Sequence, residues 1–194
     1  CEDDVAPSEA HYLLYPGSFN PLHWGHTELA RVASQVVKDK HGPKPVIITY
    51  EVAVSRVGKA DLGSAADLHA HARQFSDAGH RVAFTTAKLF VDKAKAFPHH
   101  GLVVGIDTVV RVLDPKYYND DRDQMLNALR QIRSCNCYFV VGGRIKDGKW
   151  IDLSGVDVPA EVADMFVPIP QRLFRVDISS TEIRRRRNST PPAA

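Results

Sequence analysis

The chain has 194 residues, 44% of them hydrophobic and 25% charged, with a formal net charge of +2. That composition fits one globular domain of ordinary size. No stretch approaches the ~20 apolar residues of a membrane span, and the near-neutral charge argues against a protein that lives by many nucleic-acid phosphate contacts. Three cysteines, Cys1, Cys135 and Cys137, are too few and too badly spaced for a disulfide framework, so a reducing cytoplasm is the expected compartment, with a nuclear one left open by the run Arg184 to Arg187.

In chain order, residues 1–10 are expected to be an N-terminal extension. His11 to Tyr15 reads as a short buried strand. A helix follows from about His26 to Lys40, with apolar residues at Leu29, Val32, Ala33, Val36 and Val37, and it stops at His41-Gly42-Pro43. Val46 to Tyr50 is a second strand. Ser55 to Ala66, rich in Gly, Ala and Lys, reads as a long loop into a helix from about Leu68 to Gln74. The alternation then recurs: strand Arg81 to Thr85, helix Leu89 to Phe97, strand Gly101 to Gly105, helix Asp123 to Ser134, and strand Cys137 to Val141 ending at a glycine pair. Strands alternating with helices require right-handed crossovers. The predicted fold is therefore α/β: a Rossmann-like, doubly wound, mostly parallel sheet in a three-layer α/β/α arrangement, as a single domain over 11–187 with a flexible tail over 188–194.

The densest chemical signal is Gly17-Ser18-Phe19-Asn20-Pro21-Leu22-His23-Trp24-Gly25-His26, between the first strand and the first helix. In open α/β sheets ligands bind beyond the carboxyl ends of the strands, and a helix N-terminus offers unpaired N–H groups and positive dipole charge to a phosphate. Gly17 would let the backbone approach phosphate oxygens, and His23 and His26 could face the same anion as hydrogen-bond donors. Two histidines on an exposed helix start are the plain alternative, and the preceding strand and glycine loop weigh against it. A zinc site lacks evident third and fourth ligands. His69, His71, His99 and His100 read as solvated surface, and no protein-held metal is predicted.

A second signal is Ile178-Ser179-Ser180-Thr181-Glu182-Ile183-Arg184. Its hydroxyls can cap a helix or bind phosphate, and Arg184, one turn on, would bring a planar fork of donors to the same phosphate.

With these two segments the chain resembles the nucleotidyltransferases that carry an HxGH loop after the first strand and an ISSTxIR segment near the end. Within them it most resembles the nicotinamide and nicotinate mononucleotide adenylyltransferases and, in that neighbourhood, the plant and fungal cytidyltransferase-like proteins, the latter resemblance covering nearly the whole chain. It rests on Tyr50-Glu51-Val52 with Lys59, Phe90-Val91 with Phe97-Pro98, Gly105-Ile106-Asp107-Thr108 with Tyr117-Tyr118, Val141-Gly142-Gly143-Arg144, and Phe174-Arg175-Val176-Asp177.

The resemblance implies that Gly17, Ser18, Phe19, Asn20 and Gly25 belong to a nucleotide-binding loop in which His23 and His26 stabilise the transferring phosphate. Ser179, Ser180, Thr181 and Arg184 would hold the outer phosphates, with Mg2+ bridging phosphate oxygens. It also implies a nucleotide contact for Asp107, where the residues alone allow either a ribose contact or a helix cap. Lys59 and Arg144 are candidates for acceptor or phosphate contact, against a solvated lysine and a turn residue. Tyr117 and Tyr118 read as core or as acceptor-binding aromatics. The expected partners are ATP, favoured by the ISSTxIR spelling, or CTP, and a phosphorylated small-molecule acceptor; neither a membrane nor a nucleic acid is expected, and a homo-oligomer is left open.

Overall fold

The computed structural model describes residues 9–54 and 65–174. The expected N-terminal extension, apart from its last two residues, lies outside them. So do Lys59, Ser179, Ser180, Thr181 and Arg184, the arginine run and the tail over 188–194.

The central element is a six-stranded parallel sheet. Its strands are β1 (His11–Pro16), β2 (Val46–Ala53), β3 (Arg81–Thr85), β4 (His100–Gly105), β5 (Tyr138–Gly142) and, after a small hairpin formed by β6 (Arg144–Lys146) and β7 (Lys149–Ile151), β8 (Phe166–Pro168), in spatial order β3-β2-β1-β4-β5-β8. From β1 the chain winds outward through β2 and β3, then returns to the other side of β1 and winds through β4, β5 and β8. The switch of direction lies between β1 and β4, and a crevice outside the carboxyl ends of those two strands is where such sheets bind ligands.

Helices cover both faces, as expected for a parallel sheet whose strands are apolar on both sides. On one face α1 (Trp24–His41) and α2 (Ala65–Ser76) enclose a core with Leu13, Leu29, Ala33, Val37, Tyr50, Val52 and Phe75. On the other, α3 (Phe90–Ala96), α4 (Ile106–Val112) and α5 (Arg122–Ser134) enclose a second core with Leu14, Leu102, Val109, Leu129 and Phe139. Neighbours on β1 divide between the two because successive side chains point to opposite faces. Among the described residues, no helix is long and apolar enough to cross a membrane.

Several features depart from the sequence reading, the unanticipated strand β8 among them. Helix α1 begins at Trp24, two residues earlier than expected, because His23 takes the N-cap. Helix α4 follows β4 with no intervening turn, with Gly105 as its N-cap, so no break in the pattern announces it. The hairpin turns at Asp147-Gly148, both with positive φ (50° and 75°), a sequence pair well suited to a two-residue connection.

Candidate functional site

The loop from Gly17 to His23 leaves β1 at the switch point. Its first amide is tied across to β2 by Gly17 N–H donating to the Glu51 carbonyl at 2.9 Å. His23 is extended (φ −145°, ψ 166°) and its carbonyl accepts from the His26 amide at 2.9 Å, closing the first turn of α1. The His26 side chain reaches back: its Nδ1 accepts from the His23 backbone N–H at 3.3 Å. That bond assigns the acceptor role to Nδ1, so the ring proton of the neutral imidazole sits on Nε2.

The two imidazoles stack with centroids 3.6 Å apart and planes 27° apart. Burial pushes His26 down to about 3, with the neighbouring His23 as a second cause, and burial also lowers His23. Both rings are therefore neutral at pH 7. Neither ring nitrogen of His23 is exposed, and among the described residues neither has a hydrogen-bond partner. Shielded polar atoms left unsatisfied are costly, commonly by about 1–3 kcal/mol, and an incoming phosphate oxygen is the kind of group that relieves them. No acidic side chain occupies the first turn of α1, so nothing there neutralises the positive end of its 18-residue dipole. Trp24, the first helical residue, is 57% exposed beside the pair.

The floor of the loop is aromatic. Phe19 is withdrawn into the core at 2% exposure and meets Tyr15, His26, Tyr50 and Phe75 edge-on at 5.0–5.4 Å between centroids. Only its backbone is left to face a ligand. This placement also gives Gly17 a different reason to be glycine: a Cβ there would lie 2.6 Å from the Phe19 ring, so the missing side chain makes room for Phe19. Phe19 holds a φ of 41°, a left-handed conformation uncommon outside glycine and asparagine. Ser18 is half-buried and Asn20 exposed at the loop's crest, while Gly25 is buried in the first turn of α1.

Two arrangements around the loop went unforeseen. From α2, the Gln74 amide donates to the Phe19 carbonyl at 2.8 Å and its oxygen accepts from Leu22 N–H at 2.6 Å, bracketing residues 19–22. Beside it lies a cleft of about 330 Å3 lined by Asn20, Pro21, Asp67, Ala70, His71 and Gln74. A larger groove of about 430 Å3 runs between α1 and β2, past Thr27, Arg31 and His80, and is lined by neither histidine of the pair.

Beneath the loop, Glu51 (1% exposed) and Lys93 (5%) form a buried ion pair at 2.7 Å. Lys93 also donates to the Ala87 carbonyl at 2.8 Å, and the Thr85 hydroxyl donates to the other Glu51 oxygen. The carboxylate thus joins the ends of β2 and β3 to α3. The sequence did carry a signal for this pair: a lone carboxylate in the run Val46 to Ala53 has to find a cation if the strand is buried.

Asp107 and Arg144, expected separately as a nucleotide contact and an acceptor or phosphate contact, are ion-paired with each other, both about half exposed. Asp107 is the second residue of α4 and so complements its dipole, while the N-cap position belongs to Gly105. Tyr118 packs into the second core and donates its hydroxyl to the Val112 carbonyl at 3.1 Å, whereas Tyr117 is 57% exposed. The surface reading holds for His69 and His99 but not for His71 and His100, which are half-buried against Phe75 and Phe84, and against Tyr12 and Phe97. Among the described residues no three His, Cys, Asp or Glu side chains converge as a metal site.

The class these observations define is a doubly wound α/β domain with a histidine-bearing helix start at its switch point. The chain belongs to the cytidylyltransferase-like family, whose model matches residues 14–186, and the reaction of that family is nucleotidyl transfer. No curated protein matches the chain significantly.

Proposed function

We propose that the protein transfers a nucleoside monophosphate from a nucleoside triphosphate, ATP in preference to CTP, to a phosphomonoester acceptor, with nicotinamide or nicotinate mononucleotide as the leading candidates. The observation that carries this reading is His23: two shielded, unpartnered ring nitrogens stacked on His26 at the open end of a long helix. An oxygen of the acceptor phosphate attacks the α-phosphorus, the bond from that phosphorus to the oxygen leading to the β-phosphate breaks, and pyrophosphate leaves in line. The protein's part is to place donors where the non-bridging oxygens gather charge. His26 offers its Nε2–H, His23 whichever nitrogen carries its proton, and α1 its unpaired amides. Neutral, half-buried imidazoles suit this task, since they donate without being repelled by each other when the site is empty.

Mg2+ would accompany the triphosphate and offset its charge. The described residues supply no cluster to hold it, so no step is assigned to a protein-bound ion. The preference for ATP rests on the spelling Ile178 to Arg184, and the roles of Ser180, Thr181 and Arg184 on the outer phosphates belong to the same reading.

The test is pyrophosphate release with Mg2+ and either ATP or CTP across nicotinamide mononucleotide, nicotinate mononucleotide, phosphopantetheine and phosphocholine. Release with ATP and a pyridine mononucleotide is the expected result. In that assay His23→Ala lowers turnover by about 10²-fold or more, the usual cost of one preorganised donor. Undiminished turnover removes His23 from the mechanism, and release with CTP alone keeps the chemistry and changes the donor.

A further inference from the structure

We infer that Gln74, on α2, is a positioning residue for the histidine pair: its side-chain amide locks the loop that presents His23 and His26. The inference rests on the proposed transfer only for its kinetic consequence. Its structural basis is a short chain of contacts. The amide grips both ends of one turn, donating to Phe19 O at 2.8 Å and accepting from Leu22 N at 2.6 Å. The first of these residues has the strained φ of 41°, a conformation that persists only where its surroundings over-determine it. The second immediately precedes His23.

Phe19 passes the constraint on through its ring, which meets His26 edge-on at 5.0 Å and Phe75 at 5.4 Å. Phe75 is fully buried and adjoins Gln74 on α2, so the helix holds the loop by a hydrogen-bonded fork and by a packed ring at neighbouring positions. Loop, aromatic floor and helix start then move as one body. Without the fork, Phe19 is free to relax toward ordinary φ, its ring withdraws from His26, and more water reaches imidazoles that are now half-buried.

Gln74→Met retains the volume and removes both hydrogen bonds. Gln74→Asn keeps both hydrogen-bonding groups on a side chain one methylene shorter, so it weakens the same fork without adding a charge. The first readout needs no substrate: the Cε1 proton of His26 followed by NMR between pH 5 and 8 in the ligand-free protein. The ionisable groups packed on that ring among the described residues are His23 and Tyr15, and both remain in the variants. His26 in the wild type is expected to stay neutral across the window, to begin protonating within it in Gln74→Met, and to behave intermediately in Gln74→Asn. The second readout is kinetic: kcat falls about tenfold or more in Gln74→Met while KM for the nucleotide moves less, because a displaced donor costs the transition state more than the ground state.

His26 titrating identically in the wild type and both variants overturns the inference. A general loss of stability without movement of that titration makes Gln74 a packing residue and overturns it equally. Should the wild type release no pyrophosphate with any acceptor, the proposed transfer fails, while the imidazole titration still decides on Gln74.

Discussion

Acid should unfold this protein through His26, and the size of the effect follows from its surroundings. The imidazole is stacked on His23, walled by Phe19 and Tyr15, and held down to about 3 against 6.5 for a free histidine. Between those two values the unfolded chain binds a proton that the folded chain refuses, so stability rises with pH through the window. The contribution is complete above about 6.5 and is lost progressively as pH falls toward 3. At about 1.4 kcal/mol per unit, a drop from pH 7.5 to 4.5 costs the fold about 2–3 kcal/mol at this residue, a large share of the roughly 5–15 kcal/mol that holds a domain together. His23, His41 and His100 are also lowered by burial and add to the acid sensitivity, so the measurement has to be a difference. His26→Gln is the partner protein. Its side chain retains an acceptor for the His23 amide and does not titrate. Urea denaturation of both at pH 7.5, 6.0 and 4.5 should show the wild type losing about 2–3 kcal/mol more than the variant. Parallel pH profiles would refute the idea that His26 is a half-buried, neutral imidazole.

Other outcomes follow from the same contacts. Lys93→Met strands the buried Glu51 carboxylate and should cost about 3–5 kcal/mol in chemical denaturation, and adding Glu51→Leu should recover part of that loss by removing the orphaned charge. Gly17→Ala forces a methyl against the Phe19 ring and should cost about 1–3 kcal/mol by the same method. Asp107→Asn should shift stability by less than about 1 kcal/mol in a thermal melt, because its partner Arg144 and the carboxylate are both half in solvent.

The order of strands and helices was readable because each strand is a compact apolar or β-branched run and each longer helix repeats at 3.6 residues. Some short elements left no such trace, although the equally short α3 did. Helix α4 has seven residues and β8 three, and each is defined by what it packs on. At the site, the loop and both histidines could be found because they form one contiguous segment. Gln74 could not: it is one of several polar residues in its helix, and only folding across an interval of 52 residues brings its amide to Leu22. Asp107 and Arg144 were each singled out, but their pairing spans 37 residues and has no local signature. The glycine at 17 was noticed for its freedom, yet its cause is a neighbouring ring that the linear order does not place above it.

Trp24 gives this arrangement an optical voice. The chain has two tryptophans. Trp150 is half-buried over Gly143, and Trp24 stands in solvent at the mouth of the histidine pair. An anion seated on α1 would alter the polarity around Trp24 while leaving Trp150 in its packed setting, so occupancy of the loop should be readable in the emission of the native, unlabelled protein.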